Sequence, residues 1–547
     1  MEPKNATYDI CRCYIKDQQE VVNPALYAKV DGLLRSRNLA GLASCSCHFD
    51  WHAHTINDWR VLRQVEAFFK KNSAFSNKEV CAAAAKNSFM ESERQCSETN
   101  LRLDYFYVKR DQLDPDLNYQ LSRMERYVRN VLGDFKTFMS EIPHLVKVTP
   151  GATAHSSRRN SLPQQKMRMK LYAVHSASRY VRTLYRYFGM CEPRIRHCES
   201  NRVELVPKNW KTDRTIACEP EGCLPFQLAF DTYAKRRLRR FGIDLRDQSA
   251  NQKRALESSV TGDYVTVDFK SASDTISFNT VAWIFPFDWF QFLCDVRSPK
   301  YRGAFGTGAY QKFSSMGNGC TFTIETLLFA AACYAVGSKN FLVYGDDVII
   351  EKDRYKDYVR LTRLLGFTIN EDKTFTEGPF RESCGCDAFN GIDVTPVYIR
   401  GIDMRKASLC HLVNTLASLA FPEGYLEEYL RDLLRKYNLP FVPFQESTLS
   451  GVWIEPEKAR NLKVLNRRYY RRTQPSSLRN IGPGLIDSGI DQFKAYVPKT
   501  RTRYFVDSRG YYLWFLNKNS QVLFGGPWEL TRNLTFSETS SVPIFEH

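Results

Sequence analysis

The sequence predicts an α+β protein of more than one lobe, with a strand-rich centre between flanking regions of different character. Three observations point there. The 547 residues exceed what one compact core accommodates. Between Glu204 and Asn390, short strand-like stretches such as FLVY and DVII alternate with helical segments and glycine-containing turns. Beyond Gly401 the spacing turns helical, as in GYLEEYLRDLLRKYN, where Leu426, Leu430, Leu433 and Leu434 share one side. Cuts near Gly262 and Gly401 divide the chain into 1–261, 262–400 and 401–547.

Composition narrows the partners. Apolar content of 43% and charged content of 25% are those of a globular protein. The excess of 77 basic over 60 acidic side chains, +17 net, points to a polyanion, nucleic acid before anionic membrane. The amino-terminal MEPKNATYDICRCYIKDQQE has no basic start followed by an apolar stretch, so no secretion signal is expected. The longest apolar run, LLFAAACYAV (Leu327–Val336), is half of what a membrane span needs, and no membrane association is expected. Sixteen scattered cysteines then read as reduced thiols in a cytoplasm. CSCHFDWHAH (Cys45–His54) has metal-ligating residue types without the spacing of a structural zinc site, so a packed or partly exposed loop is the better reading.

The first 150 residues mix helical and loop patterns and carry no recognisable chemistry. KVTPGATAHSSRRNSLPQQK (Lys147–Lys166) reads as a mobile basic loop. A basic helical stretch is expected next, with Leu171, Val174, Val181 and Leu184 as its apolar stripe. Near the other end, NLKVLNRRYYRRTQ (Asn461–Gln474) sets arginines around two tyrosines, equally a solvated face or an RNA contact. The last 45 residues, as in RYFVDSRGYYLWFLN, read as short strands.

Chemistry concentrates in the acidic residues of the centre. In NFLVYGDDVIIEK (Asn340–Lys352) two adjacent aspartates interrupt strand-like sequence. Gly345-Asp346 suits a two-residue hairpin turn, which puts Asp346 on the turn and Asp347 at the head of the returning strand. In DYVTVDFKSASDTIS (Asp263–Ser277), alternation leaves Asp268 at a strand end, and Asp274 follows where SASD starts a turn or helix. Asp274 also reads as a simple helix N-cap. Neighbouring buried carboxylates repel unless a cation compensates them. Hard oxygen ligands favour Mg²⁺, or Mn²⁺, over zinc. Two such ions roughly 3.5–4 Å apart are a device for in-line phosphoryl transfer, one activating a 3′-hydroxyl and the other holding a triphosphate.

Other segments suit a nucleotide and a nucleic acid. VPKNWKTDRTIACEP presents Lys208, Lys211 and Arg214 at three-residue steps, suited to a triphosphate or to a solvated basic loop. FSSMGNGCTFTIETLLF offers Ser315 and Asn318 as hydrogen-bonding groups and Gly317 and Gly319 for close backbone approach. AKRRLRRFGIDLRDQSANQ carries Lys235 with Arg236, Arg237, Arg239 and Arg240, a candidate phosphate-contacting surface for template. Lys373, in LLGFTINEDKTF, is a candidate general acid toward pyrophosphate or a plain surface charge.

These blocks, in this order, resemble an RNA-dependent RNA polymerase: PKNWKTDR as motif F, VDFKSASD as motif A, SSMGNGCTFTIE as motif B, YGDD as motif C and LLGFTINEDKTF as motif D. With FGIDLRDQSANQ and GPFRESCG, they are similar to the replicase β subunit of positive-strand RNA bacteriophages, the Q-beta replicase family. The resemblance is strong from Val206 to Arg400 and thin outside. It implies a right-hand fold: an N-terminal region and fingers in 1–261, a palm of antiparallel sheet and helices in 262–400, and a thumb and C-terminal region in 401–547. It further implies that Asp268, Asp346 and Asp347 bind two Mg²⁺ ions and that Asp274 recognises a ribose 2′-hydroxyl. Glu325 stands where the family of polymerases commonly has Asn. The implied activity is replication of a single-stranded RNA phage genome in the cytoplasm of a bacterial host, with elongation factors Tu and Ts and a ribosomal protein as partners.

Two rival functions remain in view. A reverse transcriptase also uses a Tyr-x-Asp-Asp turn, but Lys270–Asp274 holds no bulky aromatic gate to collide with a 2′-hydroxyl, and ribonucleotides are favoured. A non-catalytic RNA-binding protein accounts for the charge but leaves the carboxylates unexplained.

Overall fold

The computed structural model describes residues 2–453, apart from 47–48, 50–53, 150, 157–165, 167–169, 443–447 and 450. Beyond 453 it describes only the backbone of the strand segments 469–474, 478–479, 495–496 and 538–543.

The first 145 residues are helical: α1 (Pro3–Asp17), α2 (Pro24–Arg35), α3 (Leu39–Leu42), α4 (Ile56–Lys70), α5 (Lys78–Val108), α6 (Pro115–Leu132) and α7 (Phe135–Leu145). Their starts follow local chemistry. Asn23 caps α2 through its side chain, Thr55 and Asp58 form a reciprocal capping box on α4, and Asp114 caps α6 ahead of Pro115.

Strand β1 (Lys170–Ala173) pairs in parallel with β2 (Arg194–His197). Leu171 is therefore on a strand, and only α8 (Ser178–Tyr187), with Val181 and Leu184 buried, realises the expected helical stripe. The pairing with β2 overrides the helical spacing of that segment. A four-stranded sheet follows in the order β4 (Asp213–Cys218), β3 (Ser200–Pro207), β6 (Lys300–Gly303), β7 (Gly306–Ala309). Between them run α9 (Leu224–Arg240) and α10 (Ser249–Thr261), the latter closed by Gly262 in the left-handed conformation.

The central sheet is antiparallel, in the order β5 (Tyr264–Val267), β9 (Asp347–Glu351), β8 (Leu342–Tyr344). It is backed by α11 (Phe278–Ile284), α12 (Phe287–Val296), α13 (Thr321–Ala335) and α14 (Tyr355–Leu364). The apolar run Leu327–Val336 lies mostly in α13, which is buried nearly all round and is a core helix. No helix among the described residues is long and apolar enough to cross a membrane. A hairpin sheet, β10 (Phe380–Ser383), β11 (Cys386–Phe389) and β12 (Ile392–Asp393), flanks β5.

Two main cores result. One joins the central sheet to α6, α7, α9 and α13. The other joins α1, α2 and α4 to α15 (Lys406–Leu416) and α16 (Tyr425–Tyr437). Asp17, at the end of α1, accepts from the backbone N–H groups of Tyr425 (2.7 Å) and Leu426 (3.0 Å), capping α16 from the opposite end of the described chain. The helices after Gly401 thus share a core with the amino-terminal helices.

Candidate active site

The register of the central sheet sets the site. Val267 faces Val348 across β5 and β9, so the next step along both strands brings Asp268 opposite Asp347. Facing residues of neighbouring antiparallel strands lie about 4.5–5.5 Å apart at Cα. Tyr344 pairs with Asp347, which leaves Gly345-Asp346 as a two-residue turn, with Gly345 at φ +64°. The turn is held against α13. The Gly345 N–H donates to Thr326 Oγ1 (3.1 Å), and a Cβ on Gly345 would stand 2.3 Å from the Phe322 ring.

Asp268 is clamped by the segment behind it. Asn370 donates Nδ2 to its Oδ2 (2.6 Å), and the Asp268 N–H donates to Thr374 Oγ1 (3.2 Å). Burial raises the Asp268 carboxyl and the Asp346 charge adds to the effect, while Lys373 and Asn370 oppose it. Burial and the neighbouring Asp346 push Asp347 up to about 7. Such crowding of half-buried carboxylates is the condition a divalent cation relieves, and the donors are hard oxygens. No group of three or more His, Cys, Asp or Glu side chains among the described residues already converges as metal ligands. The Asp268 oxygen turned to Asn370 accords with that.

Two lysines, Lys208 and Lys373, face this centre. Lys208, at the tip of the β3–β4 hairpin, is held below its usual range by burial first and by Arg214 and Lys373 next, with Asp274 and Asp268 pulling the other way. Lys373 stands 3.4 Å from Glu382 and is held well above its usual range by Glu382 and Asp268. Lys211 lies over the Trp210 ring at 5.0 Å.

Other expected residues have local duties. Ser315 and Asn318 are buried: the Ser315 carbonyl accepts from Asn318 N–H (3.0 Å) and Thr321 Oγ1 (2.8 Å), and Asn318 Oδ1 accepts from Cys320 N–H (3.0 Å). Gly317, φ +108°, approaches strand β4 so closely that a Cβ would meet the Ala217 carbonyl at 2.3 Å. Along α9, Arg236 pairs with Glu141, Arg237 donates to the Val131 carbonyl (2.6 Å) and Arg239 pairs with Asp244 (3.3 Å). Arg240 is exposed. Asp274 is not an N-cap. Ser277 caps α11, and Asp274 Oδ1 instead accepts from Lys312 Nζ at 2.8 Å.

The sequence reading missed four residues here: Asn370, Glu382, Lys312 and Glu93. Each acts through a tertiary contact, and no local spacing announces it. Glu325 is 4% exposed, with Oε1 accepting no hydrogen bond, and burial followed by Asp346 and Asp274 raises it well above the carboxylate range.

Of the possible zinc loop, Cys47, His48 and His52 lie outside the described residues, and the Cys45 thiol donates to the Leu62 carbonyl (3.0 Å). Half of the basic loop expected at Lys147–Lys166, the side chains of Asn461–Gln474 and the RYFVDSRGYYLWFLN segment also lie outside them.

Fold and site together define an α+β protein whose clustered carboxylates, at the tip of an antiparallel sheet, are faced by lysines. The model of the RNA replicase beta-chain family matches residues 13–447, and the chain belongs to that family. It is 36% identical over 396 residues to the RNA-directed RNA polymerase subunit beta of Escherichia virus Qbeta, covering 70% of this chain and 66% of that protein. The corresponding subunit of Enterobacteria phage SP is 33% identical over 380 residues, covering 66% of each. The matches thus span just under two thirds of these relatives' length. Among solved structures, the BmCPV RNA-dependent RNA polymerase at elongation state is similar with a TM-score of 0.38 and 10% identity, covering 68% of this chain and 36% of that one.

Proposed function

We propose that the chain is an RNA-directed RNA polymerase that copies an RNA template from ribonucleoside triphosphates. The observation that carries this is the strand register that sets Asp268 beside Asp347, with Asp346 on the adjoining turn, in a member of the RNA replicase beta-chain family. Family membership weighs against reverse transcription, and the carboxylate cluster against RNA binding alone.

Asp268, Asp346 and Asp347 are the residues that would hold two Mg²⁺ ions, with Mn²⁺ as a substitute. When bound, such ions neutralise the carboxylates and stabilise the charge of the transferred phosphoryl group. The chain's own residues do the rest. Lys208, Lys211 and Arg214 hold the triphosphate, and Asp274 accepts a hydrogen bond from the ribose. Ser315, Gly317 and Asn318 shape the loop beside the base. Lys373, kept protonated by Glu382 and Asp268, holds a proton at Nζ for the leaving pyrophosphate. Arg240, with Arg236, Arg237 and Arg239 on the same helix, faces the template. The reading includes fingers, palm and thumb in 1–261, 262–400 and 401–547, work in the cytoplasm of a bacterial host, and elongation factors Tu and Ts and a ribosomal protein as partners.

The test is RNA synthesis by Asp346→Asn. Loss of synthesis by several orders of magnitude with RNA binding retained supports the reading, because the metals act on the transition state. Unchanged synthesis overturns it.

A further inference from the structure

A lysine with no contact to solvent sits beneath the nucleotide side of the site. Lys312 is 0% exposed and lies just after β7. Its Nζ is 2.8 Å from Asp274 Oδ1 and 3.5 Å from Glu93 Oε1, and it lies 4.2 Å over the Phe89 ring. Burying an ammonium group is costly unless it is paired and hydrogen-bonded. Here burial works against the charge, but Asp274 and Glu93 outweigh it and hold the lysine above its usual range.

The arrangement fixes Asp274 from behind. One oxygen is taken by Lys312, while Oδ2 accepts no hydrogen bond among the described residues, and the side chain is 21% exposed. The backbone is fixed as well. The Asp274 N–H donates to the Ser271 carbonyl (2.8 Å), and Cys96 Sγ of α5 donates to the Asp274 carbonyl (3.5 Å). Lys312 is itself held: Arg297 Nη2 donates to its carbonyl (3.2 Å), and the neighbouring Gln311 N–H donates to Glu93 Oε2 (2.6 Å). Three segments distant in sequence thus meet around Asp274, with one carboxylate oxygen anchored and the other without a hydrogen-bond partner among the described residues.

We propose that Lys312, supported by Glu93, is a positioning residue for ribose selection: it anchors one oxygen of Asp274 so that the other is presented in fixed orientation to the sugar hydroxyl of the incoming nucleotide. The inference rests on the reading of Asp274 given under the proposed function. It also gives helix α5, in the region whose sequence carried no recognisable chemistry, a share in substrate choice.

The experiment compares single incorporation of ATP and 2′-deoxyATP on an RNA template by the full-length chain in the assembly in which it purifies. Lys312→Met raises KM for ATP and lowers the ATP-to-deoxyATP ratio of kcat/KM by roughly tenfold to a hundredfold, the worth of one charge-assisted hydrogen bond. The deoxyATP values stay near wild type. Lys312→Arg recovers part of the ratio. Should Lys312→Met fail to fold, the double variant Lys312→Met/Glu93→Gln, which also removes one buried negative charge, gives the same loss.

An unchanged ratio in a folded Lys312 variant, or an equal fall for both nucleotides, overturns the inference. Asp274→Ala separates the layers. If it lowers the ratio while folded Lys312→Met does not, the Lys312 inference alone falls. If it leaves the ratio unchanged, the ribose reading of Asp274 falls and the inference with it. Absence of any incorporation by the wild-type chain overturns the polymerase reading itself.

Discussion

Asn370 holds Asp268 at two points: its side-chain amide donates to Asp268 Oδ2 at 2.6 Å, and its backbone N–H donates to the Asp268 carbonyl at 2.9 Å. A carboxylate meant to bind a cation gains from a partner that fixes its rotamer, and loss of such outer contacts typically costs 10–100-fold in metal affinity. Asn370→Ala is therefore expected to raise the Mg²⁺ concentration for half-maximal synthesis by about tenfold or more. RNA binding, measured in parallel without Mg²⁺, is expected to stay unchanged. A magnesium titration of initial rates checks both.

Asp347 predicts how that titration shifts with pH. Burial and the Asp346 charge raise it to about 7, so in the metal-free protein it keeps its proton up to that pH. A cation must displace this proton, and apparent Mg²⁺ affinity falls as pH drops below 7, by up to about tenfold per unit for one linked proton. Stability follows the opposite course. The metal-free folded state binds a proton that the unfolded chain releases near pH ~3.9. This group's contribution to stability therefore declines as pH rises from about 4 toward 7. Added Mg²⁺ is expected to raise Tm more at pH 8 than at pH 6, as thermal unfolding at the two pH values measures.

The hairpin of the site was legible because local chemistry determines it. Gly345-Asp346 has few other uses between two strand-like runs, and the alternation of DYVTVDF ends at Asp268 whatever surrounds it. The fold class followed from the same patterns. Three things were not legible. The stripe at Leu171 and Val174 had helical spacing, but strand pairing between β1 and β2 decides its state. The arginines of α9 read as free phosphate contacts, yet Arg236, Arg237 and Arg239 are engaged by partners as distant in sequence as Val131 and Glu141. Lys312 sits in AYQKFSS, which resembles any surface loop, and only the packing of α5 against the Asp274 turn makes it a buried ion.

Glu325 offers a prediction on charge alone. Its carboxyl is buried, has an oxygen without a hydrogen-bond partner, and is raised well above the ordinary range by burial and then by Asp346 and Asp274. An amide of the same shape carries no charge, and burial already works against the charge of this carboxyl, so the exchange loses little. Glu325→Gln is expected to cost less than about 1.5 kcal/mol of stability, the tolerance of a volume-conserving change. Glu325→Ala leaves a cavity and is expected to cost about 2 kcal/mol or more. Denaturant unfolding of both variants tests the pair. Equal destabilisation of both would mean that the ionised form matters.

Gly345 predicts how closely the turn is tied to the chemistry. Its φ of +64° carries a penalty for a residue with a Cβ, about 1–2 kcal/mol, and that Cβ would also stand 2.3 Å from the Phe322 ring. Phe322 packs on Tyr344 with ring centroids 5.2 Å apart, so its displacement is passed to the strand that leads into the turn. A shift of ~1 Å at a reacting centre can cost about a hundredfold in rate. Gly345→Ala is expected to lower synthesis by that order while RNA binding holds. Gly242, at φ +85°, has open space where a Cβ would go and lies beyond α9. Gly242→Ala carries the backbone penalty alone, so its Tm falls while synthesis at a permissive temperature is kept. Tm and synthesis measured for both variants separate general strain from displacement of Asp346: if Gly345→Ala loses no more activity than Gly242→Ala, the turn does not set the position of the aspartates.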